Sequence, residues 1–259
     1  MGRILANLGD ELKGELSGCL PLLQDRLKNE ITRLTTVKCL TRVANSGLRV
    51  DISPILKDSL PVLASFLRKN QRTLKLSTLT LLDTLVRNYN GVIQPTSLAP
   101  VLAELSPLIS EADLHIAQLT MNLLTSVARL LKPCLGVVKT SSLPEVLRLT
   151  QSPLLQGAAL TAMLEFFQAL VVANEAEMNQ QRMLDALVHP VMDPNSGASV
   201  HKQGRASIAK CVAAIVATQS PAEGLAVVNK FAGQLNNKSG QPHIQTFSLL
   251  AVAEIGKHM

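Results

Sequence analysis

Aromatic side chains are almost missing from this chain. It has no Trp, one Tyr (Tyr89) and five Phe, so aromatics make up 2% of 259 residues. Proteins that hold single-stranded nucleic acid stack the bases on aromatic platforms, and such a platform is lacking here. Strand-rich cores draw on β-branched and aromatic residues, whereas Leu and Ala favour helix. With Leu, Ala and Val dominating a composition that is 47% hydrophobic, the chain reads as all-α. Cysteine is sparse too. Cys19, Cys39, Cys134 and Cys211 lie far apart with no CxxC pair, which excludes a zinc knuckle and a thioredoxin-like motif. Cys19 and Cys39 stand among apolar helix positions and are expected to act as small core hydrophobes, which suits a reducing compartment.

Long apolar runs are also lacking. One of the two longest uncharged stretches, Leu149 to Leu164, contains Gln151, Ser152, Pro153, Gln156 and Gly157. It reads as two helices and a turn, not a membrane span. No signal peptide is evident, and Ala6 breaks the myristoylation pattern. A soluble, intracellular protein is expected.

Catalytic patterns are scarce. His115, His189, His201, His243 and His258 include no i, i+4 pair, and no GxGxxG, GxxxxGK[ST] or GxSxG occurs. Each histidine is expected on the surface or in a turn. Ser207-Ile208-Ala209-Lys210 matches Ser-x-x-Lys but lacks the companion motifs of serine acyl-transfer enzymes. Glu175 and Glu177 fall in a polar insertion, Ala173 to Gln181, and read as linker. Nothing proposes a preorganised cleft, so no enzyme activity, cofactor or metal is expected.

What the chain does have is helical periodicity. Leu12, Leu16, Cys19, Leu23 and Leu27 form one apolar stripe, and Leu56, Leu60, Leu63 and Leu67 form another. Turn-length breaks separate the stripes, at Asn29-Glu30, Asn45-Ser46-Gly47, Lys69-Asn70-Gln71, Asn88 to Gly91 and Ser152-Pro153. The stripes repeat as a larger unit. Leu27 aligns with Leu67, Leu67 with Ile109, and Ile109 with Leu149, and a later copy aligns Gly157 with Gly204. Leu20-Pro21 and Leu60-Pro61 recur in the same register, prolines expected to kink the first helix of a pair. Ser142-x-x-Glu145 and Ser220-x-x-Glu223 mark helix starts as capping boxes. A period of roughly forty residues with two helices per unit is the HEAT/armadillo signature. The expectation is a right-handed α-solenoid of about six HEAT repeats. They form a single array over residues 8–46, 50–90, 95–131, 140–173, 178–218 and 220–259. Terminal repeats usually carry a polar cap, but the last segment stays apolar through Leu249, Leu250, Val252 and Ile255. An open-ended piece of a longer superhelix is therefore expected.

Charge is uneven. The net charge is +6, and residues 1–90 hold 14 Lys/Arg against 8 Asp/Glu, the rest of the chain being balanced. A basic face fits nucleic acid, a membrane surface or an acidic protein, and a plain solvated helix face is the competing reading. From charge and repeat position, the candidate partner-binding residues are Arg33, Lys38, Arg68, Lys69, Arg72, Lys75 and Arg87.

Several long strings then carry a resemblance. LKNEITRLTTVK (27–38), PVLASFLRKNQRTLKL (61–76), PLISEADLHIAQ (107–118), SPLLQGAALTAMLEFFQALVV (152–172) and HKQGRASIAKCVAA (201–214) closely resemble the cullin-associated, neddylation-dissociated proteins. These are also known as TATA-binding-protein-interacting proteins. CLTRVANSGLRVDISPILKDSLP (39–61) looks more like the second paralogue than the first. The resemblance implies a segment from the later-middle to C-terminal part of a HEAT superhelix that clamps around an unmodified cullin–RING complex. It further implies a receptor exchange factor that competes with adaptor and substrate-receptor modules. A nuclear cofactor role with the TATA-binding protein is the alternative that the resemblance carries. A location in nucleus and cytoplasm follows, without a membrane, small-molecule or direct nucleic-acid partner. The resemblance assigns no contact residue.

Overall fold

The computed structural model describes residues 2–8, 11, 13–48, 50–173, 179–193, 195, 197–236 and 241–257. Among them the regular structure is helical throughout. The chain runs α1 (Gly2–Leu8), α2 (Lys13–Lys28), α3 (Arg33–Ala44), α4 (Ser53–Leu67), α5 (Arg72–Tyr89), α6 (Pro95–Ala103), α7 (Leu114–Leu130), α8 (Leu135–Val137), α9 (Leu143–Leu149), α10 (Gly157–Ala173), α11 (Gln180–Met192), α12 (Lys202–Val216), α13 (Pro221–Leu235) and α14 (Pro242–Ile255). Glu175, Glu177 and His258 lie outside the described residues. No described helix is long and apolar enough to cross a membrane.

The chain divides into two compact units. The first comprises Met1–Leu108 and Asn122–Ser141, the second Ile109–Met121 and Ser142–Met259. In the first unit α1 packs on α3 and α3 on α5, while α2 packs on α4 and α4 on α6, so two rows of helices lie against each other through α2–α3 and α4–α5. α1, which the sequence patterning does not predict, stands in the α3–α5 row. In the second unit α10 packs on α12 and α12 on α14, with α11 against α12 and α13 against α14.

Each row follows from its apolar stripe. Along α4, Ile55, Leu56, Leu60, Leu63, Ala64 and Leu67 are buried, one broad face at helical spacing. Fully burying one such Leu contributes about 1.5–3 kcal/mol. Leu27, Leu67, Ile109 and Leu149, the positions aligned by the repeat, are all buried. All five Phe are buried as well: Phe66, Phe166, Phe167, Phe231 and Phe247. The phenylalanines are therefore core material, while Tyr89 is half-buried. Threonines enter the rows by donating their hydroxyls to the carbonyl one turn back, as Thr36 does to Thr32, Thr84 to Thr80 and Thr120 to Ile116 (2.9 Å each).

Prolines sit in the first turn of α4, α6, α9, α13 and α14, where no intrahelical N–H is needed. α2 and α4 run on through Pro21 and Pro61. The expected capping box at Ser220 is complete. The Ser220 N–H donates to Glu223 Oε2 at 3.1 Å, and the Ser220 Oγ accepts from the Glu223 N–H at 3.4 Å. The Ser220 hydroxyl, which donates to Glu223 Oε2 at 2.7 Å, and then the Ser220 N–H hold the Glu223 carboxyl below its usual range. Ser220→Ala is expected to cost about 1 kcal/mol, measured by urea unfolding. Because the Glu223 pKa is depressed in the folded state, the cap's contribution is present above the unfolded carboxylate pKa and lost as pH falls through the folded value. A mutant deficit that stays constant into acid would sink this account.

Ser142 is a correction. It makes no capping hydrogen bond to α9. It ends a π-helical stretch, Val138–Ser142, and its backbone is already helical (φ −97°, ψ −37°), whereas Ser220 is extended (φ −66°, ψ 152°). A cap needs the extended form to turn its side chain onto the helix start. Glu145 pairs with Arg148 instead. The cysteine expectation also changes. Cys134 and Cys211 are buried, and Cys19 and Cys39 are partly exposed. Burial pushes the Cys211 thiol far above its ordinary range and also raises Cys39 and Cys134.

Candidate partner-binding groove

The seven expected basic residues all fall in the first unit, but they do not form one face. Arg33 is a correction. Its side chain is 9% exposed and ion-paired to Glu30, and its guanidinium lies 5.8 Å from the centre of the Phe66 ring. A cation held this way is part of the core and is not presented to a partner. Arg68, at the end of α4, bonds Glu104 at 2.8 Å. Arg87 on α5 pairs with Asp83 at 2.5 Å and donates to Ser126 Oγ at 3.3 Å. Ser126 in turn donates to Asp83 at 2.6 Å, so this trio ties α5 to the second half of α7. Exposed pairs of this kind contribute little to stability, but they do neutralise the charge. Lys69 and Arg72 are exposed at the α4–α5 turn, and Lys75 is half-buried on α5.

The structure assembles a different cluster around Lys38. A groove of about 820 Å³ runs across α1, α3 and α5, lined by Arg3, Asn7, Lys38, Thr41, Arg42, Asn45, Ser46, Ser77 and Thr80 among others. Among the described residues its lining includes three cations and no carboxylate. Arg3, Lys38 and Arg42 are exposed, and among the described residues none of the three is in a salt bridge. An adjoining hollow of about 530 Å³ shares Asn45, Ser46 and Gly47 and extends to Arg87, Asn88 and Tyr89.

Local hydrogen bonds fix the groove's walls. The Ser46 hydroxyl donates to the Ala6 carbonyl and so ties α1 to the end of α3. Asn88 donates to the Ala44 carbonyl at 2.7 Å, and the Tyr89 hydroxyl to the Val50 carbonyl at 2.8 Å. Thr41 and Thr80 each spend their proton on the carbonyl one turn back. Their oxygens still accept. Arg42 and Arg3 were missed by reasoning on charge density. The Lys38/Arg42 spacing of four residues was a usable signal, since it places both on one helix face. Arg3 had none, because only packing sets α1 beside α3.

In the second unit a hollow of about 330 Å³ is lined by Ser110, Glu111, Arg148 and Ser152. There Ser152 donates to Glu111 and Arg148 is paired to Glu145. Ser207 is fully buried, its hydroxyl without a hydrogen-bond partner, so it is out of reach of a substrate. His115 and His189 are exposed, His201 caps α12 through its ring nitrogen, and His243 lies 3.3 Å from the Asp193 carbonyl oxygen. No cluster able to hold a metal ion occurs among the described residues.

Comparison with known proteins places this arrangement. No family model matches the chain. Cullin-associated NEDD8-dissociated protein 1 of Drosophila melanogaster is 41% identical over 100% of the chain and 22% of that protein. Protein 2 of the same name from Rattus norvegicus is 40% identical over 99% of the chain and 20% of its own length. The Arabidopsis thaliana protein 1 is 36% identical over 99% and 21%. Overall identity therefore does not separate the two paralogues, and the chain spans about a fifth of the length of the curated relatives it matches. Among solved structures, a designed armadillo repeat protein in complex with the peptide (KR)4 aligns with TM-score 0.59 at 13% identity, over 91% of this chain and 99% of that one. A second designed armadillo repeat protein aligns with TM-score 0.55 at 12% identity, over 91% and 99%. These likenesses agree with the helix pairing in showing an all-α repeat solenoid. Along its whole length this repeat array is homologous to a stretch of the cullin-associated NEDD8-dissociated proteins.

Proposed function

We propose that the chain is a non-enzymatic scaffold segment that binds unmodified cullin–RING ubiquitin ligase cores and competes there with adaptor and substrate-receptor modules. The carrying observation is identity of 33–41% along the full chain to proteins named as cullin-associated. The helical rows supply rigid, side-by-side surfaces, and the unpaired cations of the first unit supply a long-range attraction for an acidic partner. Exposed charges of this kind act more on association rate than on affinity.

The test is binding of the purified chain to an unmodified cullin–RING complex, with and without its adaptor bound. The expected result is association that the adaptor weakens. Association indifferent to the adaptor would remove the exchange mechanism. A chain with an intact helical spectrum that fails to bind at low salt would remove the cullin reading for this segment.

A further inference from the structure

The groove across α1, α3 and α5 has a composition that selects its occupant. Lys38 and Arg42 are one turn apart on α3, about 6 Å along the axis at 1.5 Å per residue. In an extended peptide, side chains that share a face recur every second residue, about 6.8 Å apart. Carboxylates at alternate positions of such a peptide match the two cations. Arg3, on the neighbouring helix, is placed for a third. Asn7 and Asn45 also line the groove and are exposed, and a carboxamide offers the donor and the acceptor that a peptide backbone needs.

We propose that this groove holds an extended acidic segment of a protein partner, with alternating carboxylates on Lys38 and Arg42, a further one on Arg3, and its backbone on Asn7 and Asn45. One feature favours a carboxylate-bearing peptide over nucleic acid. Among the described residues, the lining of the groove across α1, α3 and α5 holds no aromatic side chain, and stacking is the usual anchor for single strands. The proposal rests on the scaffold reading only in taking the occupant to be a protein. Its test uses no cullin, so the two can fail separately.

The experiment is fluorescence anisotropy of the full chain with a short labelled peptide alternating Glu and Ser. Comparison probes are the same peptide with Gln for Glu, an isomer with its Glu residues in one block, and oligo(dT). The alternating Glu peptide is expected to bind best and to weaken as salt rises. The double variant Lys38→Ala/Arg42→Ala is expected to lose affinity about five- to tenfold, the effect of removing two exposed ion pairs. Arg3→Ala is expected to lose less. Lys57→Ala, an exposed change on α4, is the control and is expected to leave binding unchanged. Circular dichroism checks that each variant is folded. Equal affinity for the Gln peptide, or a double variant that behaves like Lys57→Ala, would overturn the proposal. So would tighter binding of oligo(dT) that is lost in the double variant. Equal affinity for the block isomer would overturn the alternating register.

Discussion

A Phe247→Ala variant is expected to lose about 3–5 kcal/mol of stability. Phe247 is fully buried on α14, and its ring meets Phe231 of α13 edge-on, with centroids 6.0 Å apart and an interplanar angle of 75°. Such a contact adds about 0.5–1.5 kcal/mol beyond area burial. The truncation leaves a cavity that rigid helices collapse into only in part. α14 also packs on α12 and α11, so the void opens where several helices converge. Urea unfolding followed by circular dichroism is the measurement, with a lower midpoint and an unchanged slope as the expected result. Leu249→Ala, two residues along the same helix and 60% exposed, is the comparison. If the two variants unfold alike, the placement of Phe247 is wrong.

Gly204→Ala is expected to cost about 1–3 kcal/mol through overpacking, even though alanine is the better helix former by about 1 kcal/mol. A Cβ on Gly204 would stand 2.6 Å from the Gln151 carbonyl oxygen and 3.0 Å from its carbon. These are backbone atoms with little freedom to move. Gln151 N–H donates to Arg148 O at 3.2 Å, Ser152 N–H to Leu149 O at 3.1 Å, and Gln203 Nε2 reaches Leu155 O at 3.1 Å. Relief would require α12 to lift off that turn. Gly233 on α13 has no heavy atom within 4 Å of the same added carbon. Gly233→Ala is therefore expected to stabilise by about 0.5–1 kcal/mol. The same substitution should move the unfolding midpoint in opposite directions at the two sites. Shifts of one sign would mean that helix propensity alone governs both and that the close approach is not real.

The two glycines that the repeat aligns show how far a linear pattern reaches. Gly157 and Gly204 occupy one register, yet Gly157 has φ +56° with open space around it, and Gly204 is a helical residue pressed on a carbonyl. The sequence marks both as breaks in side-chain bulk and cannot say which freedom each supplies. The serines divide in the same way. Ser142 and Ser220 share the Ser-x-x-Glu spacing, but only Ser220 follows an extended backbone, and only it completes the box.

The groove was legible only in part. Lys38 was named from its charge and place in the repeat, and Arg42 could have been, one turn further on. Which cations stay unpaired could not be read. Arg68 finds Glu104 thirty-six residues away, and the Asp83–Arg87 pair is completed by Ser126. Arg33 turns inward because Phe66, on the adjacent helix, offers its ring.

The sequence by itself determined the all-α class, the helix-pair repeat and the scarcity of aromatic surface. These rest on side-chain volume and on spacings of three and four residues, which act within a single helix. The tertiary structure alone decided which charges remain free, which glycines are pressed, and that α1 joins α3 and α5 around one groove. Those outcomes depend on partners some forty residues apart, as with Ser46 and Ala6, and a contact at that range exists only after the rows have packed.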